Sequence, residues 1–531
     1  MNTSAPTTLV DYLEFSAARC PDRVAIVDPA GWHLTYRELE ERADRIAGFL
    51  IARGVQPGDR VGVIVPKGAD AITAFLGIMK ARAAYVPADY TAPAARNRTI
   101  LADCEVKAVF LAPAGASILD SDEWPDDRAM PSVAVFHGAT PPETNVGTEV
   151  VMWNQAISHP PARIGGRAAS DLAYILYTSG STGVPKGVML SHENALAFVD
   201  WCSATFSPTE DDRFSSHAPF HFDLSVLDIY VPLKHGGTIC VISEELGKSP
   251  KDLARFIEQS RLTVWYSTPS ILALLVEFGD LASRDCRTLR LVLFAGEVFA
   301  VKHLREVTRR WPWARYFNLY GPTETNVCTF AEIPLPVPEE RVTPYPIGWP
   351  CAHCDAKVLE AEAGAEVAAG ADGLLYIAGA SVFLGYWNRP ELNARAFLNR
   401  DGRRWYNTGD VVRLDPDDGY IYLGRRDRMV KRRGYRIELG EIERGLYQHA
   451  SIVEAAVVGV SDEAAGVRIV AYLAARAQQR PSIIEMKSFC AGHLPAYMSP
   501  DVFRFLDALP RTSTDKIDYQ SLARLADGVT R

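Results

Sequence analysis

From about residue 60 onward, short runs of β-branched and aromatic residues alternate with stretches of helical period, and this alternation constrains the fold more than any other feature. RVGVIVP, Arg60 to Pro66, is an apolar run of strand length, and ADAITAFLGIMKARA after it carries an apolar helical face. VKAVFLAP, TICVIS, LTVWYSTPS and LRLVLFAGE read as further short strands, several followed by helical patterns such as SPKDLARFIEQSR. Strands and helices in that order imply parallel sheets covered by helices, an α/β architecture. At 531 residues the chain exceeds one compact core, so two or more domains are expected. A Pro/Ala/Asp-rich stretch from Pro113 to Pro142 carries little periodicity and reads as loop.

Beyond about residue 370 the texture changes to shorter strands and turns, DGLLYIAG and DDGYIYLG, followed by a dense charged run and then EIERGLYQHA as a helix. ASIVEAAVVGV and VRIVAYLAA read as strands of a small α+β unit. A boundary near Asp427, where turn-rich sequence meets the charged run, would divide a large domain, residues 1–426, from a small one, residues 427–531.

Composition excludes several classes. A net charge of −9 and a pI near 5.7 leave no basic excess to meet a nucleic-acid backbone. The N-terminus, MNTSAPTTLVDYLEFSAARC, lacks a cationic start followed by an apolar run, and no stretch has the length of apolar residues that crosses a bilayer. Nine scattered cysteines suit a reducing cytoplasm. Cys351 and Cys354 flank His353 in a CxxC, yet no second pair stands at a spacing that completes a zinc site, so chance spacing is the reading taken.

YTSGSTGVPKGV, Tyr177 to Val188, packs Thr178, Ser179, Ser181 and Thr182 around Gly180 and Gly183, with Lys186 beyond them. Glycines let backbone approach an anion, and hydroxyls and N–H groups then bind its oxygens. The P-loop of ATPases ends in Gly-Lys-Ser/Thr; here Lys186 follows Pro185 and precedes Gly187, so that motif fails. The loop instead resembles the signature of the adenylate-forming superfamily, which includes acyl-CoA synthetases, luciferases and the adenylation domains of nonribosomal peptide synthetases. The resemblance runs from roughly Leu9 to Leu525, and it implies a large N-terminal domain with a small, mobile C-terminal lid.

Further blocks follow in family order. FNLYGPTETNVC resembles the adenine and magnesium segment, which implies that Asn318 meets the adenine edge, Tyr320 stacks on the ring, Gly321 and Thr323 lie along the phosphates, and Glu324 ligates Mg²⁺. A hard dication beside phosphates wants carboxylate oxygen. Gly296 and Glu297, in FAGEVFAVKHLRE, belong to the implied nucleotide contacts. YNTGD resembles the ribose-binding motif and assigns both ribose hydroxyls to Asp410. GRRDRMVKRRGYRIELGEIE resembles the hinge: Arg425 would reach ribose or phosphate, Asp427 would be the pivot, and Gly434 would line the path of a pantetheine arm. Met429 stands where the family often has Gln, and Arg428, Arg432 and Arg433 read as a solvated charge run. PRTSTDKID resembles the C-terminal catalytic-lysine motif and singles out Lys516, which with Thr178 and Glu324 forms the implied catalytic set.

These parts imply ATP and Mg²⁺ as cofactors and a carboxylate that attacks the α-phosphorus. An ionised nucleophile needs no general base, so His192 is expected to be structural. In HAPFHFDLSVLDIY, Asp223 stands where amino-acid-activating members pair the substrate's α-ammonium; a helix N-cap is the other reading of that residue. Carried over residue by residue, the pocket comprises Asp223, Leu224, Leu227, Tyr266, Leu293, Ala295, Leu319, Val327 and Cys328, closed by Lys516. Apart from the Asp and Lys the lining is apolar, which suits a compact aliphatic side chain. The set resembles that of stand-alone prolyl-adenylating enzymes, implying L-proline as substrate and a separate phosphopantetheinylated carrier protein as acceptor, because no GGxS segment for such an arm occurs in the chain. Valine, alanine or a ring homologue fit by size alone. A D-alanine–carrier protein ligase, an acyl- or aryl-CoA ligase, and a non-catalytic nucleotide-binding protein are the alternatives.

Overall fold

Two large sheets carry most of the chain in the computed structural model, which describes residues 5–120, 124, 130–142, 147–179, 185–360, 364–368, 370–426, 428–462, 466–476, 479–511 and 517–527. One has nine strands; its middle, from Val24–Val27 through Thr238–Val241, Arg213–Ser216, Val264–Ser267 and Leu291–Ala295 to Arg315–Tyr320, is parallel throughout. The other has eight, with Arg60–Ile64, Ala84–Pro87, Ala108–Leu111, Val133–Phe136 and Glu149–Met152 parallel. The α/β reading of the alternation therefore holds. Val61 and Tyr85 of the second sheet share one apolar cluster with Tyr266 and Leu293 of the first.

The helix Ala69–Lys80 explains how the sheets join. It is buried on nearly every side, which only an element enclosed by others can be. Its one buried cation, Lys80, lies 2.5 Å from Asp44, with Glu14 and Glu40 at 3.6 and 3.8 Å. A buried ammonium of this kind persists only when paired.

Two strand assignments differ from expectation. The stretch Pro113 to Pro142 holds a 3₁₀ turn, Pro113–Leu119, and a fully buried strand, Val133–Phe136; four residues are too few to show a period amid Pro and Asp. The strand in LTVWYSTPS stops at Ser267, because Pro269 at the first helical position starts Pro269–Phe278.

A five-stranded sheet including Asp372–Gly379 and Arg403–Asp415 follows the large sheets. The small C-terminal domain pairs Ile452–Asp462 with Gly466–Ala475, adds Val502–Phe505 in parallel, and packs helices Leu439–Tyr447, Ile483–His493 and Tyr519–Asp527 on that sheet. Its two apolar clusters draw only on residues from Val430 onward. The expected pivot, Asp427, lies outside the described residues.

The charged run is a hairpin, Met429–Arg432 against Tyr435–Glu438. Arg433 and Gly434 turn it with φ of +50° and +81°, the two positive values that a two-residue type I′ turn requires. The solvated reading of Arg428 and Arg432 is therefore corrected. Arg428 donates to Glu443 at 2.6 Å and lies over the Tyr519 ring, and Arg432 is buried against Asp501. Alternation along the strand turns Arg432 inward beside Val430, while Arg433 at the turn is exposed.

Candidate active site

The phosphate end begins on the strand Leu172–Thr178, which returns directly as Lys186–Ser191, with Thr178 opposite Lys186. The two strands are antiparallel neighbours, and Gly180, Ser181, Thr182 and Gly183 lie outside the described residues. The helix His192–Phe206 starts after the second strand, capped by Ser191, whose hydroxyl accepts from the Asn194 N–H at 3.2 Å. His192 is buried, its Nδ1 accepts from the Leu9 N–H at 3.2 Å, and burial pushes its pKa down to about 4; this is a structural histidine. Thr178 Oγ1 is buried and has no partner among the described residues, a hydroxyl in a place that fits an anionic ligand.

Glu324 is wholly buried and meets three cationic or hydroxyl groups. Tyr386 donates to its Oε1 at 2.7 Å, Lys186 Nζ stands 3.5 Å away, and Arg436 donates to both oxygens at 3.0 and 2.9 Å. Burial alone would push this carboxyl up, but Arg436, Lys186 and the Tyr386 hydroxyl outweigh it and hold the group well below the usual range. Burial also lowers Lys186 to about 8, with Arg436 adding to the fall. A buried carboxylate kept ionised, and reached by Lys186 from the strand position opposite Thr178, fits a hard divalent cation with phosphate oxygens. Thr323 is partly buried next to Glu324, and Gly321 has no room for a Cβ, which would meet Asn326 O at 1.7 Å.

A cleft of 1020 Å³ lies beyond, lined by Gly296, Glu297, Asn318, Leu319, Tyr320 and Arg425 together with Tyr345, Ile347, Tyr422 and Lys431. Five of the expected nucleotide contacts thus converge on one cavity with aromatic walls. Asn318 donates to Pro346 O at 2.8 Å, which fixes its amide. At the cleft's edge Asp410 is fully buried; Tyr320 OH donates to one oxygen and Arg425 to the other at 2.7 Å. A carboxylate accepts about four hydrogen bonds, so Asp410 keeps capacity for hydroxyls.

The residues expected at the amino-acid end come mostly from three neighbouring strands. Tyr266 lies opposite Leu293, and Ala295 lies opposite Leu319. With a side-chain period of two, these positions share one sheet face. Leu224, Leu227, Val327 and Cys328 are buried in the same apolar cluster, which runs through the core of the large domain. Asp223 precedes the helix Ser225–His235, whose N-cap is Leu224; the N-cap reading of Asp223 is therefore not what the fold uses. Burial raises the Asp223 carboxyl to about 6, Lys431 pulls it down and Glu324 pushes it up.

The hairpin of the small domain closes the site. Lys431 and Arg436 form a cross-strand pair and so project from the same face. Lys431 Nζ stands 5.4 Å from the Tyr320 ring centroid, and the Gly434 N–H donates to Glu297 at 2.9 Å. Gly434 has no room for a Cβ, which would lie 2.5 Å from Thr268 Cγ2. Tyr435 packs edge-on to Phe222 at 4.7 Å and stacks on Tyr497, while Arg96 of the large domain pairs with Glu441. Arg436, Lys431, Tyr386 and Arg96 were not singled out by motif. Strand alternation across the Arg433–Gly434 turn is the sequence signal that pairs Lys431 with Arg436. Lys516 lies outside the described residues.

Two helix-covered sheets, an open cleft of 1020 Å³ and a small closing domain together fit an adenylate-forming ligase, and the chain belongs to the AMP-binding enzyme family, which matches residues 13–387, with the family's C-terminal domain matching residues 441–516. It is 40% identical over 524 residues to an L-proline–[L-prolyl-carrier protein] ligase of Pseudomonas fluorescens, covering 98% of this chain and 99% of that protein. A ligase of the same name from Streptomyces coelicolor is 39% identical, covering 92% and 91%. The amide bond synthetase McbA from Marinactinospora thermotolerans shares the fold, with a TM-score of 0.85, 22% identity and coverage of 98% and 99%. Among the described residues no helix is long and apolar enough to cross a membrane.

Proposed function

We propose that this chain activates L-proline with ATP as prolyl-AMP and transfers the prolyl group to the phosphopantetheine thiol of a separate carrier protein, in the cytoplasm. The observation that carries the reading is Asp223, a carboxylate raised to about 6 by burial next to Leu224 of the apolar cluster that also holds the other seven expected lining residues. Such a group asks for a cation, and an amino acid's α-ammonium supplies one while its hydrocarbon fills the pocket. The full-length similarity to two L-proline–[L-prolyl-carrier protein] ligases supports proline as that amino acid.

In the first step a substrate carboxylate oxygen bonds to the α-phosphorus, and the bond to pyrophosphate breaks. The nucleophile is already ionised, so the protein's task is placement and charge balance. Thr178, Ser179 and the loop through Gly183 would hold phosphate oxygens, Lys186 and Lys516 would balance their charge, and Asp410 with Arg425 would hold the ribose. When bound at Glu324, Mg²⁺ would neutralise negative charge gathering on the phosphates. In the second step the thiol sulfur bonds to the prolyl carbonyl, AMP leaves, and the thiol proton passes to solvent. Gly434, next to Gly296 and Thr268, would line the arm's path during that step, after rotation about Asp427 has withdrawn Lys516.

Amino-acid-dependent exchange between pyrophosphate and ATP, run across the L-amino acids, D-alanine and several aryl and fatty acids, tests the reading. A dominant L-proline signal is expected. Dominance of D-alanine or another small amino acid would retain the role of Asp223 and discard proline, and activity with only a non-amino acid would overturn both. Lys516→Ala is expected to abolish exchange.

A further inference from the structure

The segment that presents Asp223 runs from the strand Arg213–Ser216 to the helix Ser225–His235. Its downstream half is tied locally. The Phe222 N–H donates to Pro219 O at 3.0 Å, Ser225 Oγ donates to Phe222 O at 2.6 Å, and Asn326 Nδ2 donates to Asp223 O at 3.4 Å. Its upstream half is held from the other large sheet. Lys67, in the turn after Arg60–Ile64, donates through Nζ to Ser216 O at 2.7 Å and to His217 O at 2.9 Å, and stands 5.2 Å from the Phe220 ring centroid. That turn is itself fixed, because Gly68 leads into the helix Ala69–Lys80, whose first N–H, on Ala69, donates to Asp28 at 2.8 Å.

The ammonium has a counter-charge in the helix that follows Asp223. Asp228 is wholly buried, and neither of its carboxylate oxygens makes a hydrogen bond of ordinary geometry among the described residues. Burial drives this carboxyl well up, while Lys67 and then the backbone of Ala218 and His217 pull it down. Burial likewise lowers Lys67 to about 7, and Asp228 and Glu244 oppose that fall. Each charge is tolerated there because of the other. A compact cation with three rotatable donors suits such a junction of two carbonyls and a carboxylate.

We propose that Lys67 is a positioning residue for the amino-acid end: by holding Ser216 O and His217 O against the charge of Asp228, it fixes the path of the segment and with it the place of the Asp223 carboxylate. The inference rests on the reading of Asp223 as the partner of the substrate's ammonium. Lys67 acts through Asp223 rather than on the reacting atoms. Misplacement by about 1 Å costs on the order of 10²-fold in such a site. Removal of the clamp should therefore weaken capture of the amino acid and leave ATP binding alone.

The test is a double-mutant cycle in the whole chain, read by L-proline-dependent exchange of radiolabelled pyrophosphate into ATP, with a melting curve for each variant. Lys67→Met is expected to raise the KM for L-proline about tenfold, with kcat and the KM for ATP changed less than about threefold. Lys67→Arg, which returns a donor cation, is expected to fall between Lys67→Met and the wild type. In the Asp223→Asn background, Lys67→Met is expected to change the residual kcat/KM less than about twofold, since no carboxylate is left to position. Equal losses with and without the Asp223 carboxylate would overturn the inference and leave Lys67 a packing residue, as would a KM for L-proline unchanged in Lys67→Met. If Lys67→Met fails to fold, Lys67→Arg and Asp228→Asn carry the same cycle; Asp228→Asn keeps the volume, removes the counter-charge and is expected to raise the KM by a smaller factor. If Asp223→Asn left kcat/KM for L-proline unchanged, the reading of Asp223 would fall, and the positioning role with it. If Asp223→Asn lowered kcat/KM while the Lys67 and Asp228 variants matched the wild type, the positioning role alone would fall. Should another amino acid dominate exchange, it replaces L-proline in the same cycle.

Discussion

The two ends of the site treat a buried carboxylate in opposite ways. At the phosphate end Glu324 is surrounded by Arg436, Lys186 and Tyr386 and is held ionised well below the usual range. At the amino-acid end Asp223 stands against an apolar wall, with Lys431 as the cation that lowers it, and burial wins, leaving it at about 6. Glu324 is a satisfied charge, which under the proposed function would have to exchange a protein partner for the metal. Asp223 is a carboxylate raised by burial, which under the proposed function would gain a partner from the substrate. In the proposed reaction a protein group must therefore withdraw at one end, whereas the substrate's arrival completes the other.

Neutralising each carboxylate separately breaks the comparison most sharply. Asp223→Asn is expected to lower kcat/KM for the amino acid by roughly 10²–10⁴-fold, the scale of about 3–5 kcal/mol for removing one partner of a buried pair, with the KM for ATP little changed. Thermal stability should move the other way. A carboxyl raised from 3.8 to about 6 costs roughly 3 kcal/mol when ionised. Protons bind the folded state more strongly between those two values, so this cost grows as pH rises through the interval and is complete above 6. Asp223→Asn should therefore raise Tm at pH 8 by a few degrees while abolishing most activity. Glu324→Gln should lower Tm, because its folded pKa is depressed, its contribution is fully present at pH 8, and Arg436 and Lys186 would be left buried without their counter-ion. Scanning calorimetry on the two variants checks the pair; equal shifts of the same sign would dissolve the distinction.

A pH profile sharpens the same contrast more gently. Ammonium capture requires ionised Asp223, so kcat/KM for the amino acid should fall about tenfold per unit below a break near 6. Lys431 lowers that value from the hairpin, so withdrawal of the hairpin moves the break upward, and Lys431→Met should do so as well. The break should vanish in the residual activity of Asp223→Asn. Exchange at subsaturating amino acid from pH 5 to 8 measures all three, and a flat wild-type profile would count against Asp223 as the ammonium's partner.

Sequence and structure agree where one residue type admits few explanations. RVGVIVP and its neighbours are parallel strands because apolar runs of that length have little else to become, and Tyr266, Leu293, Ala295 and Leu319 share one sheet face because their strands pair in register. What escaped notice depends on pairing across space. Arg436 stood among several cations in one charged stretch, and nothing in composition separates it from Arg433, which is exposed at the turn. Only the I′ turn at Arg433–Gly434 fixes the register that sets Arg436 opposite Lys431. Tyr386 comes to Glu324 from the edge strand Gly385–Tyr386, and Arg96 reaches Glu441 across the domains, contacts 62 and 345 residues apart in the chain. Val133–Phe136 was missed for the opposite reason, being too short to show a period.

The smallest expected effect concerns the wall facing Asp223. Leu224 and Leu227 stand one helical turn apart, at 9% and 1% exposure. Leu227 is sealed into the core, so Leu227→Ala should act on folding, lowering Tm through a cavity worth about 2–5 kcal/mol. Leu224 stands next to Asp223 at the start of the helix, where truncation enlarges space that the substrate would share. Leu224→Ala should therefore leave the ammonium contact in place and change the fit of the hydrocarbon, by about tenfold in kcat/KM against L-proline, since a methylene's difference is worth about 1–3 kcal/mol. A larger ring homologue should gain relative to proline by a similar factor. Exchange assays with both substrates, beside a melting curve for each variant, separate the two leucines. Unchanged selectivity with a lowered Tm in Leu224→Ala would assign that residue to the core and leave the pocket wall to Tyr266, Ala295 and Cys328.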